Sequence, residues 1–332
     1  MKKPIIFSGI QATGTLTLGS VLGAIRNWTR LSADYNCLFS VVDMHSMTIR
    51  QDPDEFREYA YQVMAWYIAL GLDPKECTLY FQSHVPAHAE LAWVLNCFTY
   101  LGELNRMTQF KDKSAKNESN INAGLYTYPV LQAADILLYQ ANLVPVGEDQ
   151  RQHLELCRDI AQRFNHTYGE VFTIPEAYIA PVGAKIMGLQ YPDKKMSKSE
   201  GENESNLILL SDSPDAIIKK FKRAVTDSDN EIRFAPEKPG ISNLLTIYAC
   251  CTGKTIPESE ADFAGCGYGQ FKLGVGEAVV EMLKPYKETY DKLMSDDAYL
   301  KEIAAEGAAK ARDMAEGTLQ NVKRVIGYPM PF

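Results

Sequence analysis

The stretch "PIIFSGIQATGTLTLGSVLGAIRNW", residues 4–28, decides the fold. Its first seven residues are short, apolar and β-branched, as expected of a buried parallel strand. A loop with Gly14 and Gly19 follows, and residues 20–31 read as a helix. A strand running through a glycine-rich loop into a helix N-terminus is a ready anion site. The loop's N–H groups and the helix dipole both favour negative charge there. Gly14 and Gly19 have P-loop spacing, but Ser20 and Val21 stand where that motif needs lysine and then a hydroxyl residue. The G-x-G-x-x-G dinucleotide pattern is absent too. Taken alone, the glycines could equally serve a turn and close helix packing.

The pattern continues outward. Residues 37–47, 77–83 and 143–148 read as further buried strands, and residues 53–72 and 86–102 as helices. In 53–72, Phe56, Tyr59, Ala60, Val63, Met64 and Tyr67 share one face between Pro53 at the start and Gly71 at the end. Alternation of strands and helices predicts a doubly wound α/β parallel sheet. Beyond about residue 200 the strand signal fades, and 213–225, 241–253, 269–296 (interrupted by Pro285) and 296–327 read as helices. The expected organisation is an α/β domain over 1–200 and an all-helical region over 201–332. The polar stretch 111–122 reads as a surface loop.

The chain has 332 residues, 46% hydrophobic and 23% charged, with net charge −8. That composition is globular, and the acidic balance argues against indiscriminate nucleic-acid binding while leaving room for a local basic surface. The apolar run before Gln11 is too short for a signal-peptide core, and no run approaches membrane-spanning length. Seven cysteines, odd in number and without metal-ligand spacing, predict free thiols in a reducing cytoplasm.

Against this acidic background, "DKKMSKSEGEN" (193–203) gathers Lys194, Lys195 and Lys198 around Met196. It is either a solvated loop or a mobile clamp for a polyanion. The string "KMSKS" (195–199) and "TLGS" (17–20) together resemble the two signatures of class I aminoacyl-tRNA synthetases. With "VVDMHSMT" (41–48), "NRMTQFKDKSA" (105–115), "YPVLQAADILLY" (128–139) and "VPVGEDQRQHLEL" (144–156), nearly the whole chain resembles bacterial tryptophanyl-tRNA synthetases.

The resemblance implies a Rossmann-type catalytic domain, an anticodon-binding helical module, and two-step chemistry. The amino-acid carboxylate attacks the α-phosphorus of ATP, and the aminoacyl group then moves to the terminal ribose of tRNA(Trp). Positioning and charge stabilisation dominate such transfers, so no nucleophilic side chain is required. Lys195 and Lys198, with Lys111 or Lys113 from the polar loop, would supply the cations that the first turn lacks. Thr17 and Ser20 complete the implied catalytic set. The family pattern implies ATP contacts at Gln11, Ala12, Thr13, Gly19, Ser20, Gly147, Glu148, Asp149, Ile186, Lys195, Met196, Ser197 and Lys198. Magnesium would accompany ATP, held mainly by phosphate oxygens, without a structural metal in the protein.

Tyr128, Gln132 and Asp135 are spaced i, i+4, i+7, which places them on one face of a helix predicted to begin at Pro129. A carboxylate in so apolar a run needs a partner. It could cap a neighbouring element or pair an arginine, or it could await a donor such as an indole N–H. The resemblance assigns Asp135 the indole, with Phe7, His45, Tyr128, Gln132, Val144, Val146 and Gln150 completing the tryptophan site. Ordinary strand-end packing is the competing account of His45 and the two valines. Three residues depart from the family pattern: Ser20 replaces an asparagine, Ala12 a proline and Gln132 a methionine. Ser20 could still cap the helix beginning at residue 21.

Basic runs at 219–223 and 323–328 are candidate tRNA contacts, and solvated helix faces explain such runs as well. The family implies a homodimer, for which the helix at 86–101 offers an apolar face. Tyrosyl-tRNA synthetase of the same lineage, and a synthetase-like protein that binds without ligating, are the alternatives. Intact lysines in "KMSKS" favour the active enzyme.

Overall fold

The structure, a computed structural model, describes residues 3–25, 28–29, 31–111, 121–147, 150–178, 185–196 and 204–329. Five parallel strands form its sheet: β1 (Ile5–Ile10), β2 (Asn36–Val41), β3 (Cys77–Phe81), β4 (Leu143–Pro145) and β5 (Glu176–Tyr178). Their order is β3-β2-β1-β4-β5, with Ile6 opposite Cys37 on one side and Leu143 on the other. This is the doubly wound order, in which the chain builds outward from β1 in one direction and then in the other.

Side-chain alternation along the strands separates two cores. Ile6, Phe39, Val41 and Leu79 enter one, together with Val63, Met64 and Tyr67 of α3. Phe7, Leu38 and Tyr80 enter the other, with the helices that precede and follow β4. In chain order, the helices lying wholly within the described residues include α1 (Leu18–Ser20), α2 (Asp43–Ser46), α3 (Pro53–Ala69), α4 (Ala87–Asn96), α5 (Leu101–Asn105), α6 (Ala123–Leu137) and α7 (Arg151–Tyr168). A wide π-type turn at Val21–Ile25 extends α1. Asp52 caps α3 by accepting from the N–H groups of Asp54 and Glu55, and Pro53 occupies the first turn, where its missing N–H costs nothing.

Past residue 204 the chain is helical: α8 (Pro214–Lys222), α9 (Pro239–Thr252), α10 (Ile256–Asp262), α11 (Tyr268–Ser295) and α12 (Asp297–Ile326). Trp66 of α3 stacks on Tyr290 of α11 at 4.1 Å between centroids, joining this region to the first core. The final helix then wraps the sheet edge. Leu300, Ile303 and Ala304 belong to the first core, whereas Ala308, Ala311, Ala315, Leu319 and Val322 belong to the second. Gly307 marks the crossing: a Cβ there would lie 1.8 Å from the carbonyl oxygen of Leu79 on β3. An otherwise open edge strand is thereby covered by a helix at backbone distance.

Four expectations need correction. Strand β2 ends at Val41, and His45 lies on the short helix α2 rather than within a strand running to residue 47. Helix α11 continues through Pro285, because Val275, Val279, Leu283 and Leu293 bury its face and offset the lost backbone bond. Pro129 lies inside α6, which starts at Ala123 because the Asn122 side chain accepts from Leu125 N–H. The predicted helix at 86–102 breaks into α4 and α5, with Glu103 accepting from Tyr100 N–H at the second start. Strand β5 escaped the sequence reading, being three residues long with Glu176 and Ala177 exposed.

Replacing Gly307 with alanine will force α12 off β3 and destabilise the fold by about 1–3 kcal/mol. A urea midpoint equal to that of the parent chain would show that the helix can move aside freely.

Candidate active site

Winding reverses between β1 and β4, so the connections leaving their carboxyl ends diverge and open a crevice between them. Gln11, Ala12 and Thr13 leave β1 there, while Val146 and Gly147 leave β4. The first loop is pinned from below, with Ala12 N–H donating to Ser46 Oγ at 3.0 Å. Thr17 then caps α1, its Oγ1 accepting from Ser20 N–H at 3.2 Å and lying 3.1 Å from Ser20 Oγ. Thr17, rather than Ser20, is therefore the capping residue. Ser20 lies inside the turn with its hydroxyl half-buried.

Two distant parts of the chain meet on this turn. Leu18 N–H donates to Ile208 O and Leu210 N–H to Leu16 O, each at 2.9 Å, pairing residues 16–18 with 208–210. Met196 packs directly on Gly19, where a Cβ would stand 2.9 Å from Met196 O and 3.2 Å from its Cβ. Only glycine allows so close an approach. Met196 is anchored again on its far side, its N–H donating to Ile186 O at 2.9 Å. Met187 and Lys195 form an antiparallel bridge, so the burial of Met196 leaves the neighbouring Lys195 facing solvent.

Helix α9 holds the base of this hairpin through Asn243, which accepts from Met187 N–H and donates to Met187 O, both at 2.9 Å. Asn206 Oδ1 accepts from Gln190 and Tyr191 N–H at 2.8 and 3.1 Å. Thus Thr17, Gly19, Ser20, Ile186, Lys195 and Met196 converge. Lys113, Glu148, Asp149, Ser197 and Lys198 lie outside the described residues.

The second predicted group gathers around Asp135, whose relative exposure is 1%. Its Oδ2 receives His45 Nε2 at 2.8 Å, and its Oδ1 receives His88 Nδ1 at 2.6 Å and Gln82 Nε2 at 2.7 Å. Neither an arginine nor a helix N-terminus is its partner among the described residues; two imidazoles and an amide are. Burial by itself would push the carboxyl up, but the facing His45 and His88 rings and their hydrogen bonds hold it well below the usual carboxylate range. The site therefore presents an anion.

The network extends to the other expected residues. Tyr139 OH lies 2.8 Å from His88 Nε2, and the Tyr139 ring stacks on Phe7 at 5.8 Å. His45 meets Tyr128 edge-on at 6.2 Å, and Tyr128 OH lies 2.8 Å from His153 Nε2. Val144 and Val146 pack in the same core as Phe7. Gln132 is half-buried one turn before Asp135, and Gln150 immediately precedes α7, its N–H donating to Gly147 O at 3.0 Å. Beyond His45, a cavity of about 300 Å³ opens to the surface between Met44, Met47, Ala92, Trp93 and Leu131.

His88, Gln82 and Tyr139 were not singled out from the sequence. Tyr139 is four residues after Asp135, one helical turn on, which is the signal that could have found it. Gln82 and His88 carry no such signal, because β3 and α4 reach Asp135 only through the tertiary fold.

A crevice at the strand reversal, a hydroxyl-capped turn and a lysine-bearing hairpin seated on that turn define a nucleotide-handling class I site. The family model of tRNA synthetases class I (W and Y) matches residues 1–284, and the chain belongs to that family. Within it, the chain is 53% identical over 326 residues to a tryptophan–tRNA ligase of Clostridium tetani, spanning 98% of this chain and 96% of that protein. The tryptophanyl-tRNA synthetase of Mycoplasma pneumoniae superposes with a TM-score of 0.90 at 34% identity, covering 99% of both chains. That of Campylobacter jejuni, complexed with ADP and tryptophan, gives 0.83 at 33% identity, covering 97% of this chain and 99% of its own.

Proposed function

We infer that this chain is a class I ligase that activates tryptophan with ATP and transfers it to tRNA(Trp). The contact of Met196 with Gly19 carries the reading, because it joins the lysine hairpin to the capped turn at the crevice. Full-length similarity to a tryptophan–tRNA ligase supports the choice of amino acid.

In the proposed mechanism the triphosphate lies along the loop after β1, near Gln11, Ala12, Thr13 and Gly19, with the Thr17 and Ser20 hydroxyls toward its phosphates. Ile186 faces the adenine through its backbone, and Gly147 and Asp149 take the ribose. Lys195 and Lys198, with Lys113, stabilise the charge growing on the leaving pyrophosphate more than that of bound ATP. Mg²⁺ enters with the nucleotide, on phosphate oxygens. Phe7, His45, Tyr128, Gln132, Val144 and Val146 enclose the indole, Asp135 accepts its N–H, and Gln150 lies near the substrate's polar end. A buried acceptor discriminates strongly against side chains that offer it no donor.

The 1–200 unit would carry this chemistry and the helices of 201–332 the anticodon contacts. Lys220 and Lys323 are partly neutralised by Asp212 and Glu90, whereas Lys219, Lys222 and Arg223 of the first basic run have no ion pair among the described residues. Met47 and Trp93 are exposed apolar side chains lining the cavity beyond His45, and we place a second copy of the chain over them. A cytoplasmic location follows from the proposed substrates.

Pyrophosphate exchange measured with each of the twenty amino acids tests the reading. Exchange supported by tryptophan is expected, and exchange with tyrosine instead would overturn it. Asp135→Asn should raise KM for tryptophan by about 10–100-fold, the worth of a charged hydrogen bond, with KM for ATP little changed. Lys198→Ala should lower the exchange rate by about 100-fold or more while ATP affinity changes far less. Trp93→Glu should convert a sedimenting dimer to a monomer; an unchanged sedimentation coefficient would remove that face from the interface.

A further inference from the structure

An ionised carboxylate offers about four acceptor positions, two on each oxygen. Among the described residues, His88 and Gln82 occupy both positions on Asp135 Oδ1, and His45 occupies one on Oδ2. A single acceptor position remains, on Oδ2. Which oxygen stays open depends on His88, since rotation of the carboxylate is resisted chiefly where two donors converge.

His88 is itself held from behind. Its ring is fully buried, with Nδ1 toward Asp135 and Nε2 toward Tyr139 OH at 2.8 Å and Tyr80 OH at 3.3 Å. Burial pushes both phenols up, so they stay protonated and Tyr139 O–H can donate to Nε2. An imidazole that accepts at Nε2 carries its proton at Nδ1, where it donates to Asp135. A Tyr139 O–H donated to Nε2 would select this tautomer of a neutral His88, and stacking on Phe7 fixes the Tyr139 ring.

We propose that the Tyr139–His88 pair positions Asp135 for amino-acid selection, leaving one oriented acceptor for the substrate ring. Indole N–H is donor-only and satisfies such a site completely. A phenol donates as well, but its oxygen also accepts, and the His45, His88 and Gln82 N–H groups that meet Asp135 are engaged by its carboxylate. The pair acts through Asp135 rather than by touching substrate. This inference rests on the proposed tryptophan activation.

The test is pyrophosphate exchange with tryptophan and with its analogue bearing sulfur in place of the indole N–H. The parent enzyme should prefer tryptophan by roughly 10–100-fold, through KM for the amino acid. Tyr139→Phe keeps the ring stack and removes the hydroxyl; His88→Leu removes both nitrogens; His88→Asn keeps a donor near the Nδ1 position. The first two should shrink the preference to a few-fold with KM for ATP unchanged, and His88→Asn should restore most of it. Parent-like preference in Tyr139→Phe and His88→Leu would overturn the positioning role. So would equal losses for tryptophan, analogue and ATP, the mark of a merely structural defect. Should His88→Leu fail to fold, Tyr139→Phe and His88→Asn carry the comparison. A parent enzyme inactive with tryptophan would overturn the functional reading and this inference with it, whereas a normal parent beside unaltered variants would overturn this inference alone.

Discussion

The reversal of winding on either side of β1 is the constraint on which the site depends. Parallel strands require crossovers over the sheet faces, and the chain makes them first toward β3 and later toward β5. Only at β1 and β4 do neighbouring strands send their connections apart. The loop after β1 therefore lies at the reversal point, the position at which folds of this order accommodate a ligand. The hairpin carrying Met196 returns to that same point, where Met196 packs on Gly19, and the pairing of 16–18 with 208–210 brings a further segment to the same turn.

A second constraint is the buried charge at Asp135. A carboxylate removed from water is tolerable only with donors around it, and these come from three separate elements: α2, the turn after β3, and α4. Each donor comes from a part of the chain that must already be folded, so the carboxylate is both buried and hydrogen-bonded only in the assembled domain. Helix α12 contributes indirectly, since its C-terminal half fills the core that also contains Tyr80 and Tyr139. The crossing at Gly307 lets one helix close both cores, at a backbone approach that no larger residue permits.

Chemistry and scaffold are consequently divided between local and distant contacts. Thr17, Gly19 and Ser20 belong to one turn and carry their hydrogen bonding within four residues. Met196, by contrast, is useful only because it is brought against that turn from the far end of the α/β region. Asn243, on α9 of the helical region, grips the base of the same hairpin and couples the two parts of the molecule mechanically.

Periodicity, capping residues and two short signatures were legible in the sequence, because each is written in residues a few positions apart. They determined the strand–loop–helix opening, the alternating α/β half, the helical remainder, the family, and the value of Asp135 as a buried acceptor. The end of β2 before His45, the passage of α11 through Pro285 and the start of α6 before Pro129 were decided by tertiary packing and by capping partners that outweighed local propensity. So were the partners of Asp135: a paired arginine was as legible as a ligand, whereas His88 and Gln82 are 47 and 53 residues away along the chain. Local order follows from local side chains. The hydrogen bonding of a buried charge depends on which elements the whole fold brings beside it.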